Sequence, residues 1–274
     1  MIDIETHLAE ISDRGFTILK REVDTDECQR VLEFATSFRY SPDEIASVGK
    51  SIQRLNGFAD NIYNVVAKQS GFLRFFLSGK CGEILKRLLN DRYYTTLPDE
   101  LPNYILRSLL LRSSKAAMPW HIDSFIPYRD GPISVVQAAL FIEASNERNG
   151  CTLVVPGSHL SGAYAPQGEN ANAVKLEAEP GDLIIWDSRI WHATTSNSSE
   201  SSRWALIATF TRWYFKQGYD YPKSLNKETY QRLSLEEKIV LGFCSSVPSD
   251  EFEKTEVKGG IQSLERWDRF YGKA

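Results

Sequence analysis

The sequence predicts a mainly β core with helices before and after it. Three features support this prediction. Short apolar segments separated by turn residues fill the stretch from about 101 to 215, apolar residues recur at steps of three and four before it, and a helix-capping signature follows it. The chain has 274 residues, which is enough to bury a sizeable core. We expect a single domain over 1–274, with a helical part at about 1–100, the β core at about 101–215 and a helical extension at 216–274.

The segment before the β core begins with an amphipathic helix. Ile4, Leu8 and Ile11 share one helical face, and Gly15 follows them as a stop signal. A short strand is predicted directly after this glycine, at 16–20. Further helices are predicted at about 25–38 and 71–90, with irregular structure at 40–69.

The β core is predicted from apolar runs bounded by turns. The run Glu179–Asp182 is a strong turn signal, because Pro180 presets the second position and Gly181 accepts a positive φ at the third. Residues 161–173 lack periodicity, which predicts a long loop that could act as a lid. After the core, Ser234 and Glu237 match a capping box. The predicted strands are 103–112, 118–124, 134–142, 151–155, 182–187 and 203–213.

Composition and charge exclude several classes of partner. The net charge is -4 and no basic stripe is present, so nucleic acid is not an expected partner. No apolar run approaches the roughly 20 residues that span a bilayer, and the polar start at 1–7 does not resemble a signal peptide. The four cysteines are scattered without a Cys-x-x-Cys pair. We therefore expect a cytoplasmic protein that acts on a small molecule, and its oligomeric state stays open.

One spacing in the β core indicates metal chemistry. His121 and Asp123 lie two residues apart on a predicted strand, so both side chains face the same way and could bind one metal ion. The chain has 36 acidic residues, so such a pair also arises by chance at a solvated strand end. His192 follows the strand at 182–187, and Arg203 opens the next one. These two residues favour the metal site over the chance pair.

The chain resembles the phytanoyl-CoA dioxygenase family of Fe(II)- and 2-oxoglutarate-dependent oxygenases. The resemblance covers roughly residues 7 to 213 in the same order and spacing. It implies a double-stranded β-helix, a jelly-roll or cupin-like fold with helices packed outside. The matching segments are Pro119–Asp123, Asn149–Gly150, Pro156–His159, Pro180–Asp182, His192–Thr194 and Arg203.

The resemblance also implies roles for individual residues. His121, Asp123 and His192 match the iron ligands, and this ligand set leaves neighbouring positions open for a bidentate keto acid and O2. Arg203 matches the residue that binds the distal carboxylate of 2-oxoglutarate. A guanidinium suits this role because it can donate two parallel hydrogen bonds. Thr194 matches a hydroxyl residue that assists this arginine, and Gln137 is a further predicted co-substrate contact.

The implied reaction is hydroxylation of an unactivated C–H bond in a small specialised metabolite, with 2-oxoglutarate converted to succinate and CO2. Desaturation, epimerisation and ring closure are alternative outcomes at the same kind of site. Two further alternatives are a zinc-dependent hydrolase and a non-catalytic β-barrel binding module. The hydrolase would give Arg203 no role, and the binding module would need no metal.

The remaining histidines and arginines are expected to have structural or solvated positions. His7 lies on a predicted surface helix, and His159 follows a Pro-Gly turn, so neither is expected to bind metal. Arg107, Arg112, Arg129 and Arg212 could each reach a substrate carboxylate, but surface solvation is the expectation for any one of them.

Overall fold

The computed structural model describes residues 3–47, 61–113, 115–248, 250–256 and 259–272. Two antiparallel sheets form its core, which confirms the mainly β prediction and the double-stranded β-helix. The strands are β1 (Phe16–Leu19), β2 (Asn61–Ile62), β3 (Tyr104–Arg112), β4 (Met118–His121), β5 (Val135–Phe141), β6 (Thr152–Val154), β7 (Val174–Leu176), β8 (Leu183–Asp187), β9 (His192–Thr194) and β10 (Ala205–Arg212).

The larger sheet has the order β1-β8-β5-β10-β3-β2, and the smaller has the order β4-β9-β6-β7. Strands that are neighbours in a sheet are often far apart in sequence, as β1 and β8 are. β8 lies between β1 and β5 in the sheet, and every one of its residues is buried. Burial of both faces of the strand explains the continuous apolar run that the sequence shows there.

The chain divides into two compact units. The first contains residues 1–63 and 110–208, and the second contains 64–109 and 209–274. All four strands of the smaller sheet lie in the first unit, as do all the predicted site residues. The expectation of a single domain stays a prediction.

Each unit has its own apolar core. An apolar cluster in the first unit is formed by Phe16, Ala139, Phe141, Val154, Leu176, Ala178, Ile184, Trp186, Ile190 and Ala205. In the second unit, Tyr230 stacks on Tyr271 with ring centroids 4.4 Å apart. Trp267 is buried there and donates its indole hydrogen to the carbonyl oxygen of Phe243 at 2.9 Å. Buried aromatic side chains therefore supply much of the packing in the second unit.

The N-terminal helices are largely as predicted. The first covers Ile4–Arg14 and ends at Gly15, which has a φ of 89° and accepts the left-handed cap conformation. The expectation that His7 is solvated is wrong: its side chain is buried, and Nδ1 lies 2.7 Å from Oγ1 of Thr17. The other described helices in this part are Thr25–Ser37, Pro42–Ser47, Val65–Lys68, Arg74–Leu77 and Gly79–Leu89.

The prediction of irregular structure at 40–69 is wrong in part. The helices Pro42–Ser47 and Val65–Lys68 and the strand β2 occur there, while residues 48–60 lie outside the described ranges. The short strands β7 and β9 were also not predicted. Each has three residues, which is too short to show a period of two in the sequence.

The C-terminal extension is helical, as predicted. Ser234 and Glu237 form the capping box, with each side chain accepting the backbone N–H of the other residue. No helix within the described ranges is long and apolar enough to cross a membrane. The described helices here are Tyr221–Ser224, Lys227–Arg232, Leu235–Val240, Glu251–Glu256 and Leu264–Phe270.

Candidate metal centre

Two histidines meet on neighbouring strands of the smaller sheet. His121 ends β4 and His192 begins β9, and the antiparallel register makes them direct cross-strand partners. Their ring centroids are 4.0 Å apart. The register between Met118 and His121 is irregular, so the strand pair is bulged beside the site.

Asp123 joins the two histidines from outside the strand. The prediction that the strand continues to 124 is wrong, since β4 ends at His121. The carbonyl oxygen of Ser188 accepts the backbone N–H groups of Asp123 and Ser124 at 2.8 and 2.9 Å. The turn at 187–190, rather than strand alternation, therefore fixes the direction of the carboxylate.

A buried ion pair holds that turn in place. Arg189 donates to both carboxylate oxygens of Asp187, with Nε 3.0 Å from Oδ1 and Nη2 2.6 Å from Oδ2. Its guanidinium group also lies 4.3 Å from the ring centroid of Tyr128. Sequence analysis missed this pair, and the Asp-x-Arg spacing before a candidate ligand is the signal that marks it. Such partners orient the residues that bind a metal.

The three side chains are close enough to bind one ion. Nε2 of His192 lies 3.3 Å from Oδ2 of Asp123, and Nε2 of His121 lies 3.6 Å from Oδ1. One ligand atom from each residue lies within 4.8 Å of the other two. His192 is buried, while His121 and Asp123 keep about a quarter of their side-chain surface exposed. The group is therefore anchored at one side and open at the other.

Both imidazoles are held in the tautomer that leaves Nε2 available. Nδ1 of His121 lies 2.8 Å from the carbonyl oxygen of Pro119, and Nδ1 of His192 lies 3.1 Å from that of Ile190. A carbonyl oxygen only accepts, so each Nδ1 carries the hydrogen. Once the proton that Nε2 of His192 donates to Asp123 is released, as metal binding requires, each neutral ring offers the lone pair of Nε2 to a metal ion.

The electrostatics of the three groups are coupled. Burial would raise the pKa of Asp123, but the charges of the two imidazoles and hydrogen bonds from His192 and Gln137 hold it below its usual value. Burial would lower the pKa of His192, but Asp123 raises it above the usual value. Burial, followed by the charge of His192, lowers the pKa of His121. The carboxylate is therefore ionised at neutral pH, as a metal ligand must be.

Two side chains that carry N–H groups border this group from paired positions on neighbouring strands. Gln137 on β5 and Trp186 on β8 are cross-strand partners, and the Gln137 side chain donates to Asp123. The Trp186 ring meets the His192 ring edge-on with centroids 5.9 Å apart. Its Nε1 is buried and has no hydrogen-bond partner among the described residues. A buried donor of this kind suits a site that takes a polar ligand.

The structure places the other predicted residues in the same unit. Arg203 precedes β10 and donates its backbone N–H to Oγ of Ser113 at 3.0 Å. Burial, followed by the charge of Arg112, lowers the pKa of Arg203 to about 10. Thr194 lies on β9 two residues after His192, so both side chains share one face of the strand. The structure thus puts Gln137 against Asp123, and the co-substrate roles of Arg203, Thr194 and Gln137 stay predictions.

The predicted lid loop is attached beside both histidines. Trp191 donates its indole hydrogen to the carbonyl oxygen of Ala163 at 2.9 Å. Gln167 donates its amide hydrogen to the carbonyl oxygen of Trp120 at 2.8 Å. His159, before this loop, is buried with Nε2 3.0 Å from the carbonyl oxygen of Ser12, as expected for a structural residue. The loop is therefore anchored to the residue that precedes each histidine of the candidate centre.

Comparison with known proteins identifies the family. The model of the phytanoyl-CoA dioxygenase (PhyH) family matches residues 11–205, which is more than half of the chain. The chain belongs to this family. The match includes all three residues of the candidate metal centre, together with Thr194, Gln137 and Arg203.

Relatives of this PhyH protein include bacterial and fungal proteins. Rv1501 of Mycobacterium tuberculosis, named as an uncharacterized protein, is 35% identical over 118 residues, or 43% of each chain. Dioxygenase af480 of Aspergillus fumigatus is 28% identical over 158 residues, which cover 55% of this chain and 50% of the relative. The chain thus spans half or less of the length of these curated relatives.

A solved structure has the same fold. The epimerase SnoN, crystallised with Fe3+, alpha ketoglutarate and nogalamycin RO, aligns with a TM-score of 0.54 over 76% of this chain and 83% of its own. The sequence identity is 16%, so the likeness establishes a shared fold. It agrees with the fold that the PhyH family match implies.

Proposed function

We propose that this protein is an Fe(II)- and 2-oxoglutarate-dependent dioxygenase that oxidises a C–H bond of a small molecule. The observation that carries the proposal is the convergence of His121, Asp123 and His192 in a PhyH chain, with both Nδ1 hydrogens bound to carbonyl oxygens. Two imidazoles and one carboxylate on one side of an ion are typical of non-haem Fe(II) oxygenases.

The residues present fit an iron ion and a keto acid. The donor set is neutral nitrogen and ionised oxygen, and the partly exposed His121 and Asp123 leave one side of the group open to further ligands. When bound, the iron supplies the oxygen-dependent chemistry that converts 2-oxoglutarate to succinate and CO2 and oxidises the substrate. His121, Asp123 and His192 are the residues that would hold the ion.

Side chains around the ligands would orient the reactants. Gln137 keeps the carboxylate of Asp123 in one orientation through its hydrogen bond. Arg203 would bind the distal carboxylate of 2-oxoglutarate, since its guanidinium is partly buried and a charge-assisted pair is strong there. Thr194 would assist Arg203. The apolar cluster that includes Trp186 excludes water from the interior behind the ligands.

Hydroxylation of a specialised metabolite is the reaction that we favour. The proposed partner is a small molecule rather than nucleic acid or a membrane, and the proposed location is the cytoplasm. The dioxygenase names of fungal relatives such as af480 and andF support oxidation. Epimerisation is the second candidate, because the solved neighbour SnoN is named an epimerase. Desaturation and ring closure use the same ligand set.

Metal analysis and an oxygen-dependent succinate assay test the proposal. Protein purified anaerobically and loaded with Fe(II) should convert 2-oxoglutarate to succinate only with O2 present. Product mass then separates outcomes: hydroxylation adds one oxygen atom, desaturation or ring closure removes two hydrogens, and epimerisation leaves the mass unchanged. A hydrolase would work with Zn(II) and without O2. A binding module would form no succinate at all.

A further inference from the structure

A second arginine lies beside the one that is assigned to the co-substrate. Arg112 ends β3, where it pairs with Asn61 of β2. The next residue, Ser113, accepts the backbone N–H of Arg203 through its hydroxyl group. The segment that contains Arg112 is thus joined to Arg203 by a hydrogen bond from backbone to side chain.

Strand geometry directs Arg112 towards the interior of the β core. The hydroxyl of Ser108 on β3 donates to Oγ1 of Thr209 on β10 at 3.2 Å, so these two side chains share one face of the sheet. Alternation along β10 puts Ala205, a member of the interior apolar cluster, on the face of Thr209. The same alternation along β3 puts Leu110 and Arg112 on that face.

The electrostatics agree with this position. Burial lowers the pKa of Arg112, and two groups oppose this shift: Tyr63 at a pH where its phenol is ionised, and the carboxylate of Asp123. The charge of Arg112 in turn lowers the pKa of Arg203 and of His121. The Arg112 guanidinium therefore lies within electrostatic reach of the metal centre. The expectation that it is solvated at the surface is wrong.

Within the described part of the chain, the Arg112 side chain lacks the partner that a partly buried guanidinium normally has. Arg189 in the same unit forms a bidentate pair with Asp187, whereas the Arg112 guanidinium makes no hydrogen bond and no ion pair with any residue in the described ranges. A desolvated guanidinium with five donors is unfavourable unless an anion binds it. Since Arg203 is assigned to the co-substrate, the position of Arg112 suits a different anion.

Exposed apolar side chains lie on the segments next to the same centre. Phe125 and Ile126 follow Asp123 within three residues, and their exposed fractions are 46% and 63%. Tyr164 in the anchored loop is 64% exposed. Large apolar groups kept at the surface beside a site are typical of contacts to a ligand. A ligand that contacts both these residues and Arg112 would combine an apolar body with an anionic group.

Resting on the proposed function, we propose that Arg112 determines substrate specificity by binding a carboxylate of the primary substrate, which is therefore an organic acid with an apolar body. Carboxylate is the group whose two oxygens match the guanidinium fork. The bond that is oxidised would then lie on the part of the acid nearest the metal ligands.

The test measures binding to the Mn(II)-loaded full chain without O2. The probes are aromatic and alicyclic monocarboxylic acids, each paired with its methyl ester, and 2-oxoglutarate is titrated separately. Acids should bind at least tenfold more tightly than their esters. Arg112→Gln should abolish that preference, Arg112→Lys should keep part of it, and both should weaken acid binding far more than 2-oxoglutarate binding. The exposed Arg129 provides the matched control Arg129→Gln, which should bind both kinds of ligand as the unmodified protein does.

Three results would overturn the proposal. The first is equal binding of acids and their esters, and the second is that no acid binds. The third is that Arg112→Gln weakens 2-oxoglutarate binding as much as acid binding, which would put Arg112 in the co-substrate site. Melting temperatures of all variants check that each is folded. A failure of the proposed function is distinguishable, because the unmodified protein would then bind no 2-oxoglutarate and form no succinate, whatever its preference for acids.

Discussion

His121 and His192 face each other across β4 and β9, and each binds the carbonyl oxygen two residues before it through Nδ1. The same local hydrogen bond therefore sets both tautomers, and it requires no side chain from elsewhere. What remains for the rest of the chain is to bring Asp123 to the two Nε2 atoms. The carbonyl oxygen of Ser188 does this through the backbone of Asp123.

Loss of one ligand should abolish tight metal binding. His192→Ala or Asp123→Asn is expected to raise the Kd for Mn(II) by at least about 100-fold. The first removes one of three protein ligands and the second removes the charge of another, and each is a larger loss than that of an outer partner. Isothermal titration measures this. Asp130→Asn, the same change at an exposed acid of the adjacent loop, is the control and should leave the Kd unchanged. Equal metal affinity in His192→Ala and the unmodified protein would remove His192 from the centre.

Gln137 should affect the metal more than the co-substrate. Its side chain donates to Asp123, so Gln137→Leu removes a hydrogen bond that orients a ligand. We expect the Kd for Mn(II) to rise by about 10-fold and the KM for 2-oxoglutarate to change less. A large rise in KM at unchanged metal affinity would instead support the role predicted from the sequence, which is direct contact with 2-oxoglutarate.

Arg203 should control co-substrate affinity. Arg203→Gln keeps some hydrogen-bonding capacity but loses the charge, so the KM for 2-oxoglutarate is expected to rise by roughly 10-fold or more, as a lost charged hydrogen bond of about 1.5–3 kcal/mol implies. Steady-state succinate formation measures this, and Arg148→Gln at an exposed position is the control. The assignment fails if both variants have the same KM.

The sequence predicted the candidate centre better than the reason for its geometry. His121 and Asp123 were placed together by strand alternation, but the strand ends at His121 and a turn positions the carboxylate. The sequence pattern could not show this, because the contact is between backbone groups 65 residues apart in the chain, at Asp123 and Ser188. Long apolar strands such as β5 and β8 were predicted within one or two residues, since each has a continuous buried run.

Burial of charged residues was the main failure. The expectation of solvation was reasonable for any single arginine, but Arg112 and Arg212 are buried partly or fully. Their burial depends on neighbours contributed by other strands and helices, such as the carbonyl oxygen of Leu88 that accepts a hydrogen bond from Arg212. Local sequence carries no record of such a partner. The fold is therefore needed to show which arginine side chains are buried.

Asp182 should make stability depend on pH. Its side chain is buried, pairs with Lys20 at 2.7 Å and accepts the backbone N–H groups of Arg21 and Glu179. Burial would raise the pKa of Asp182, but these bonds hold that pKa below its usual value. A lowered folded-state pKa stabilises the protein above the unfolded pKa of about 3.9 and loses that effect as the pH falls through the folded value.

Asp182→Asn is therefore expected to lower the free energy of unfolding by about 2 kcal/mol at pH 7. The difference from the unmodified protein should shrink as the pH falls below about 4. Urea denaturation at a series of pH values measures both quantities. Asp130→Asn should cost less than about 0.5 kcal/mol throughout, as expected for an exposed site. A deficit that is constant down to the most acid pH would show that the charge of Asp182 is not its cause.

The turn before β8 should tolerate no side chain at Gly181. This glycine has a φ of 88°, and a Cβ there would lie 2.2 Å from the carbonyl oxygen of Val23. Gly131 offers a matched control, because its φ is 110° and a Cβ would meet no atom of the described residues within 4 Å. Gly131→Ala carries the backbone strain alone, about 1–2 kcal/mol. Gly181→Ala carries the same strain and a clash with backbone, so its free energy of unfolding should fall by at least about 2 kcal/mol more. Equal losses in the two variants, measured by urea denaturation, would mean that the segment carrying Val23 moves freely and does not fix the turn.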